Sequence, residues 1–226
     1  MTDRSSRAGR LWQRLRPGFR AGLPYALAVG LVGVSFGAVA EPIMGPVAPI
    51  VMSVIVFAGS AQFAATAVLL AGGGVLSAVL AGMLLNARFI PMGIALAPSL
   101  TGGRLARAAQ GQAVVDASWA LANRGEGRFD RDFMLGSTLA HYPLWVAGTI
   151  LGVVGGGLIG DPETFGLDAM FPAFFLALLV VELRDRRAVP AAALGALLAL
   201  VLVPFVPPGV PVIAAALAAL IGLRRR

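Results

Sequence analysis

Long uninterrupted apolar blocks organise this chain. Seven can be marked, at about residues 22–40, 46–70, 74–99, 133–157, 167–183, 188–204 and 209–223. About 20 apolar residues in a helix cross the roughly 30 Å hydrocarbon core of a bilayer. Membrane β-barrel strands are short and alternate apolar with polar, which is not the pattern here. The blocks therefore predict an all-α, polytopic helical membrane protein with six or seven crossings. The last two blocks are short and share the connector Pro204-Phe205-Val206-Pro207-Pro208-Gly209, the pattern of a C-terminal helical hairpin. Residues 1–20 read as a basic N-terminal arm, and 21–226 as one transmembrane domain with a polar loop at 101–132. Within that loop Ala108–Asn123 is mildly apolar, with Asp116 as its single charge. It reads as an interfacial or partly inserted helix anchored by Trp119.

Two blocks carry polar interruptions. In the second, Gly59-Ser60-Ala61-Gln62 breaks a strongly apolar run. Ser60 and Gln62 lie two residues apart, so on a regular helix they point about 160° away from each other. In the third, Asn86 and Arg88 have the same spacing, and Pro91 follows. Proline has no N–H, so the carbonyl of Ala87 loses its helical partner, and a kink or unwound turn is expected at Ala87–Pro91. Polar pairs at helix interruptions in mid-membrane are how transporters expose backbone groups to a substrate.

Charge sharpens the topology. The net charge of +7 rests on 18 Arg and no Lys, and mean hydropathy is +0.85. The Arg residues cluster at block ends, as membrane orientation requires, and do not indicate a nucleic-acid partner. Six lie in the arm, five in 101–132, three in 184–187 and three at the C-terminus. All four regions favour the cytoplasm. Alternation works backwards from the C-terminus, but three full crossings before residue 100 would place the arm outside. A broken or re-entrant block among the first three removes the conflict. Ala38-Val39-Ala40 resembles a signal-peptidase site, but the run Leu23–Ala40 exceeds the usual apolar length of about 7–15 residues. Gly33 and Gly37 in it suit close helix packing, so it reads as a retained span.

No cysteine is present, which excludes disulfide and thiolate chemistry. With one His and scattered acids, neither a metal site nor a cofactor is expected. The candidate chemistry centres on Arg88. At the centre of a membrane helix an Arg costs roughly 2.5–3.5 kcal/mol unless something compensates it. It can serve as a bidentate fork for a substrate carboxylate. It can equally form a structural ion pair with Asp116, Glu41, Glu182 or a partner subunit. Asn86, Gln62 and Ser60 are candidates to bind a substrate's charged ends, or are interhelical contacts. Asp116 is a counter-charge or proton carrier, or a solvated acid. His141 is the one side chain that titrates near neutrality unperturbed, or a helix-packing residue. Phe57, Phe63, Leu84, Leu85 and Met92 are available to line an apolar pocket. An intramembrane hydrolase would need Ser60 and His141 within hydrogen-bond reach. A non-transporting assembly subunit is the third reading. No nucleotide-binding loop is present, so an ion or proton gradient would supply the energy.

Phe57-Ala58-Gly59-Ser60-Ala61-Gln62-Phe63, followed by Leu84-Leu85-Asn86-Ala87-Arg88-Phe89, resembles the AzlC family of branched-chain amino acid permeases. Val115-Asp116-Ala117-Ser118-Trp119-Ala120-Leu121 is similar to the family's acidic block, and Gly166-Leu167-Asp168 leading into Phe174-Phe175-Leu176 to a later one. The resemblance runs from about Phe19 through almost the whole chain. It implies export of branched-chain amino acids such as valine across the bacterial plasma membrane, with a small membrane subunit of the AzlD type. Two positions depart from the family pattern: Phe89 stands where His is usual, and Ala117 where a second acid is usual.

Overall fold

The computed structural model describes residues 2–70, 72–125, 127–159 and 188–206, with isolated positions between 173 and 186 and between 211 and 218. The apolar blocks at 167–183 and 209–223, with Asp168 and Glu182, lie largely or wholly outside the described residues. Among the described residues the regular structure is helical, joined by turns and short connectors, with one isolated bridge between Asn123 and Phe129. Its helices are α1 (Thr2–Met44), α2 (Val47–Ile55), α3 (Gly59–Leu70), α4 (Val75–Asn86), α5 (Phe89–Leu96), α6 (Arg104–Gly111), α7 (Asp116–Ala122), α8 (Arg131–Ile159) and α9 (Val189–Leu202). Among the described residues, three stretches are long and apolar enough to cross a membrane: Ala8–Met44, Val75–Ser99 and Arg131–Gly156. Gly59–Leu70 and Val189–Leu202 are apolar but shorter. The second apolar block is thus two helices, α2 and α3, and not one.

The scaffold is the pair α1 and α8. A Cβ on Gly18 would overlap the backbone of Phe133, on Gly22 would press on Ser137, on Gly33 would lie 2.7 Å from the Trp145 carbonyl, and on Gly37 would overlap that of Thr149. Partner numbers rise together along both helices, so the two run parallel. From the other side Gly136, Gly148 and Gly152 meet the carbonyls of Leu15, Gly30 and Val34 just as closely. Lipid tails are as apolar as Leu, so helix association in a membrane relies on close packing, and small residues permit it. The glycine spacing noted at Gly33 and Gly37 is one part of a seam that runs the length of both helices. Ala38 and Ala40 are buried, Ala38 against Gly156. Parallel packing also places the basic start of α1 on the same side as the basic region that precedes α8.

Around this pair the core is aromatic. Val32, Phe36, Ala40, Phe57 and Trp145 form one buried cluster. Phe36 stacks on Trp145 with ring centroids 6.1 Å apart and meets Phe63 edge-on at 5.5 Å. The apolar outer residues of α4 and α5, among them Leu76, Met83, Ile90 and Ile94, are exposed, as a lipid-facing surface requires.

Both interruptions have a physical cause. Between α2 and α3 the chain breaks at Val56–Ala58, where Phe57 takes φ +45°. The break lies just ahead of the expected Gly59–Gln62, and α3 begins at Gly59. A buried aromatic residue in the left-handed region is strained by about 1–3 kcal/mol and persists only if its surroundings hold it. They do so through side chains. The Tyr142 hydroxyl donates to the Val54 carbonyl (2.9 Å), Gln112 Nε2 donates to that of Ile55 (2.8 Å), and Gln62 Oε1 accepts from the Ala58 N–H (3.2 Å). The Phe57 ring lies edge-on to Tyr142 at 4.9 Å. Backbone groups freed by a broken helix must find such partners where water is scarce. Tyr142→Phe and Gln112→Ala should each lower the melting temperature of the purified protein, by the equivalent of about 1 kcal/mol. An unchanged melting temperature in the double variant would show that these bonds do not hold the break. Between α4 and α5 the distortion is milder. Pro91 cannot donate to Ala87, so the Ile90 N–H takes that carbonyl at 3.1 Å, and the helix tightens over Ala87–Arg88.

Candidate functional site

The two interruptions face each other. Ser60 sits in the first turn of α3, just past the break, and Arg88 in the tightened turn between α4 and α5. Close packing of α3 on α4, with Gly82 beside Ala61, brings them together. Arg88 Nη2 donates to Ser60 Oγ at 2.6 Å and to Asp116 Oδ2 at 2.8 Å. Asp116 is the first residue of α7. Thr138 Oγ1 and Ser118 Oγ both donate to the Ala113 carbonyl, tying the approach to α7 onto α8. The Arg88 and Asp116 side chains are 20% and 27% exposed, so the pair is partly open. Beneath Arg88 lies the Phe89 ring, 5.1 Å from the guanidinium carbon to the ring centre.

Beside this cluster lies a cavity of about 310 Å³, at the lower end of the roughly 300–1,000 Å³ typical of small-molecule sites. Val56 and Ala58 at the break, Asn86 and Phe89 at the tightened turn, Leu96 and Val114 line it. Phe89 thus separates the charged pair from a mainly apolar space. Asn86 reaches this cavity, and its Oδ1 has no hydrogen-bond partner among the described residues. None of Phe57, Phe63, Leu84, Leu85 and Met92, the residues expected from the sequence, lines this cavity. Phe57 belongs to the central core and Phe63 packs against it, and Met92 packs beside Leu96 and Trp119.

Of the six polar candidates, the structure groups Arg88, Ser60 and Asp116, with Asn86 alongside. Gln62 points elsewhere, as the two-residue spacing from Ser60 requires. It is fully buried, donates from Nε2 to Ser53 Oγ at 3.0 Å, and continues into a Ser53–Thr149 hydroxyl contact of 2.7 Å. That network stitches the break to α8. His141 is fully buried on α8 and donates from Nε2 to the Gly22 carbonyl at 3.2 Å. Its Nδ1 has no partner among the described residues. Ser60 bonds Arg88 and His141 bonds Gly22, so the nucleophile–base contact that a hydrolase needs is not made. Ser53, Thr149, Tyr142 and Gln112 join these contacts without being among the six candidates. Ser53 and Thr149 were visible as polar residues in apolar blocks. Gln112 sits in the polar loop and carried no signal.

Comparisons with known proteins agree with this architecture. The family model described as AzlC protein matches residues 24–159, which include both interruptions, α7 and α8. The chain is 30% identical over 190 residues to Inner membrane protein YgaZ of Escherichia coli (strain K12), covering 77% of this chain and 74% of that one. It is 24% identical over 181 residues to Branched-chain amino acid transport protein AzlC of Bacillus subtilis (strain 168), covering 78% and 71%. An uncharacterized membrane protein of Archaeoglobus fulgidus is 34% identical over 208 residues, covering 88% and 91%. No solved structure matches. The apolar spans and these relatives make this a bacterial inner-membrane protein with a transport-related role. By its matched residues and its relatives, the chain belongs to the AzlC family.

Proposed function

We propose that this chain is the large subunit of a secondary transporter that exports branched-chain amino acids such as valine across the plasma membrane. The Arg88–Asp116 pair, set against Ser60 between two interrupted helices, carries the reading. An amino acid is a zwitterion, and the pair offers it a complementary charge for each end. In the empty site the two side chains neutralise each other. On binding, the substrate carboxylate takes the Arg88 fork with Ser60, and the ammonium takes Asp116. Each charge leaves one partner for another, so neither is stranded at depth. The neighbouring apolar cavity takes the aliphatic side chain, with Asn86 at its polar margin. The printed name of the Bacillus subtilis relative supports the substrate class.

The same reading orders the topology. α1 and α8 run parallel, so the net path between their starts crosses the membrane twice. We assign α1 as one crossing, α2–α3 as a re-entrant pair that turns at Phe57, and α4–α5 as the return. Ser53 beside Thr149 and Ile55 beside Gln112 support an inward course for α2. The basic arm and the 101–132 region then share the cytoplasmic side, as the positive-inside rule asks. An ion or proton gradient drives export, with Asp116 the coupling carboxylate. His141, in the α1–α8 seam, is assigned to packing. A small AzlD-type subunit completes the transporter.

In the test, cells are loaded with a valine-containing dipeptide and internal valine is followed with and without this chain and the small subunit. Faster loss of internal valine is expected when both are present. Equal internal valine in the two strains would refute export.

A further inference from the structure

Many helical glycines here face a neighbour that forbids a side chain, but Gly93, like Gly9, Gly111 and Gly155, does not. On α1 and α8 a Cβ at most of the described glycines would meet the facing helix, with Gly9 and Gly155 as the exceptions. Gly93 lies inside α5, yet a Cβ built there meets nothing within 4 Å. An interior glycine costs a helix roughly 0.5–1 kcal/mol relative to alanine. Neither close approach nor a positive φ accounts for this one.

The face of α5 accounts for it. Phe89, Gly93 and Leu96 follow the i, i+4, i+7 spacing of one helix face, and all three line the 310 Å³ cavity. Ile90 and Ile94 lie about 100° round the helix from Phe89 and Gly93 and are exposed. The open space in front of Gly93 is therefore the cavity itself. Phe89 closes that face towards Arg88, and Leu96 is fully buried at its other end. On the α5 side of the cavity, Gly93 is the position where a side chain would add volume without displacing a neighbour, and Gly111 offers a similar opening from α6.

We propose that Gly93 sets the upper size limit for the aliphatic side chain this cavity accepts. This rests on the transport reading above and adds a specificity-determining residue to it. A side chain at 93 shortens the cavity from α5 and leaves the Arg88–Asp116 pair untouched. It should discriminate by size while sparing the binding of the charged ends. One methylene in an apolar pocket separates substrates by about 10–200-fold.

The test uses the full chain expressed with the small subunit in cells loaded separately with alanine, valine and leucine dipeptides. Efflux of each amino acid is followed, and membrane abundance is measured for every variant. Gly93→Val should lower the leucine-to-alanine efflux ratio about tenfold, and Gly93→Ala by less. Ile94→Phe, with bulk added on the outer face, should leave the ratio unchanged. Leu100→Ala enlarges the same cavity and should raise the ratio, so the proposal stays testable if the Gly93 variants do not insert. If the unaltered chain exports all three but neither Gly93→Val nor Leu100→Ala moves the ratio, size selection at this wall is wrong while the transport reading stands. If the unaltered chain exports none of them, both fall together.

Discussion

Arg88→Ala and Asp116→Ala should each abolish valine efflux and also reduce the amount of detergent-stable protein. The two effects have different causes, and the double variant separates them. Breaking a fully buried ion pair from one side costs about 3–5 kcal/mol, because the surviving charge is stranded. Here the side chains are 20% and 27% exposed, and solvent recovers part of that. A loss of about 2 kcal/mol is expected for each single variant. Removing both charges leaves none stranded, so Arg88→Ala with Asp116→Ala should recover stability towards that of the parent. Transport should not recover, since the substrate has lost both of its charged partners. Size-exclusion profiles of the solubilised variants, set beside efflux in the same strains, report the two quantities independently. A double variant that regains both stability and efflux would make the pair a structural contact.

A second large effect is expected at the seam between α1 and α8. Gly148→Val and Gly152→Leu should prevent recovery of folded protein. At both positions even a Cβ would overlap a backbone carbonyl of α1, at Gly30 and Val34 respectively. Backbone cannot rotate aside as a side chain can, so the helices must separate along much of their length. Overpacking of ordinary cores costs about 1–3 kcal/mol, and here the cost should reach or exceed the top of that range. Gly155→Ala is the control within the same helix. A Cβ there meets nothing within 4 Å, and the protein should fold as before. Comparable yields of Gly152→Leu and Gly155→Ala in fluorescence-detected size exclusion would count against the seam.

Several parts of this arrangement were legible in residues alone. Pro91 removes a donor wherever it sits, so the tightened turn at Ala87–Arg88 follows from local chemistry. The opposed directions of Ser60 and Gln62 follow from helical geometry, and they take Ser60 to Arg88 and Gln62 to Ser53. Asp116 stood among the possible partners of Arg88 beside Glu41 and Glu182, and local pattern could not rank them. Choosing between them depends on how the chain folds back through α6 and α7, which is a long-range matter. The break at Phe57 was harder still. Its flanking residues are apolar, and the groups that hold it come from Gln62, Gln112 and Tyr142. Two of those three lie more than fifty residues away in the chain.

Residue order alone set the membrane-spanning helical class, the cost of an Arg in an apolar span and the tightened turn ahead of Pro91. Each depends on residues near one another in the chain: apolar run length, a charged side chain, a missing N–H. The parallel course of α1 and α8, the meeting of the two interruptions and the placing of Arg88 against Asp116 beside a cavity arise in the folded chain. Those outcomes depend on which glycine stripes find each other and on where the chain returns, and contacts between distant segments leave no local trace in residue order.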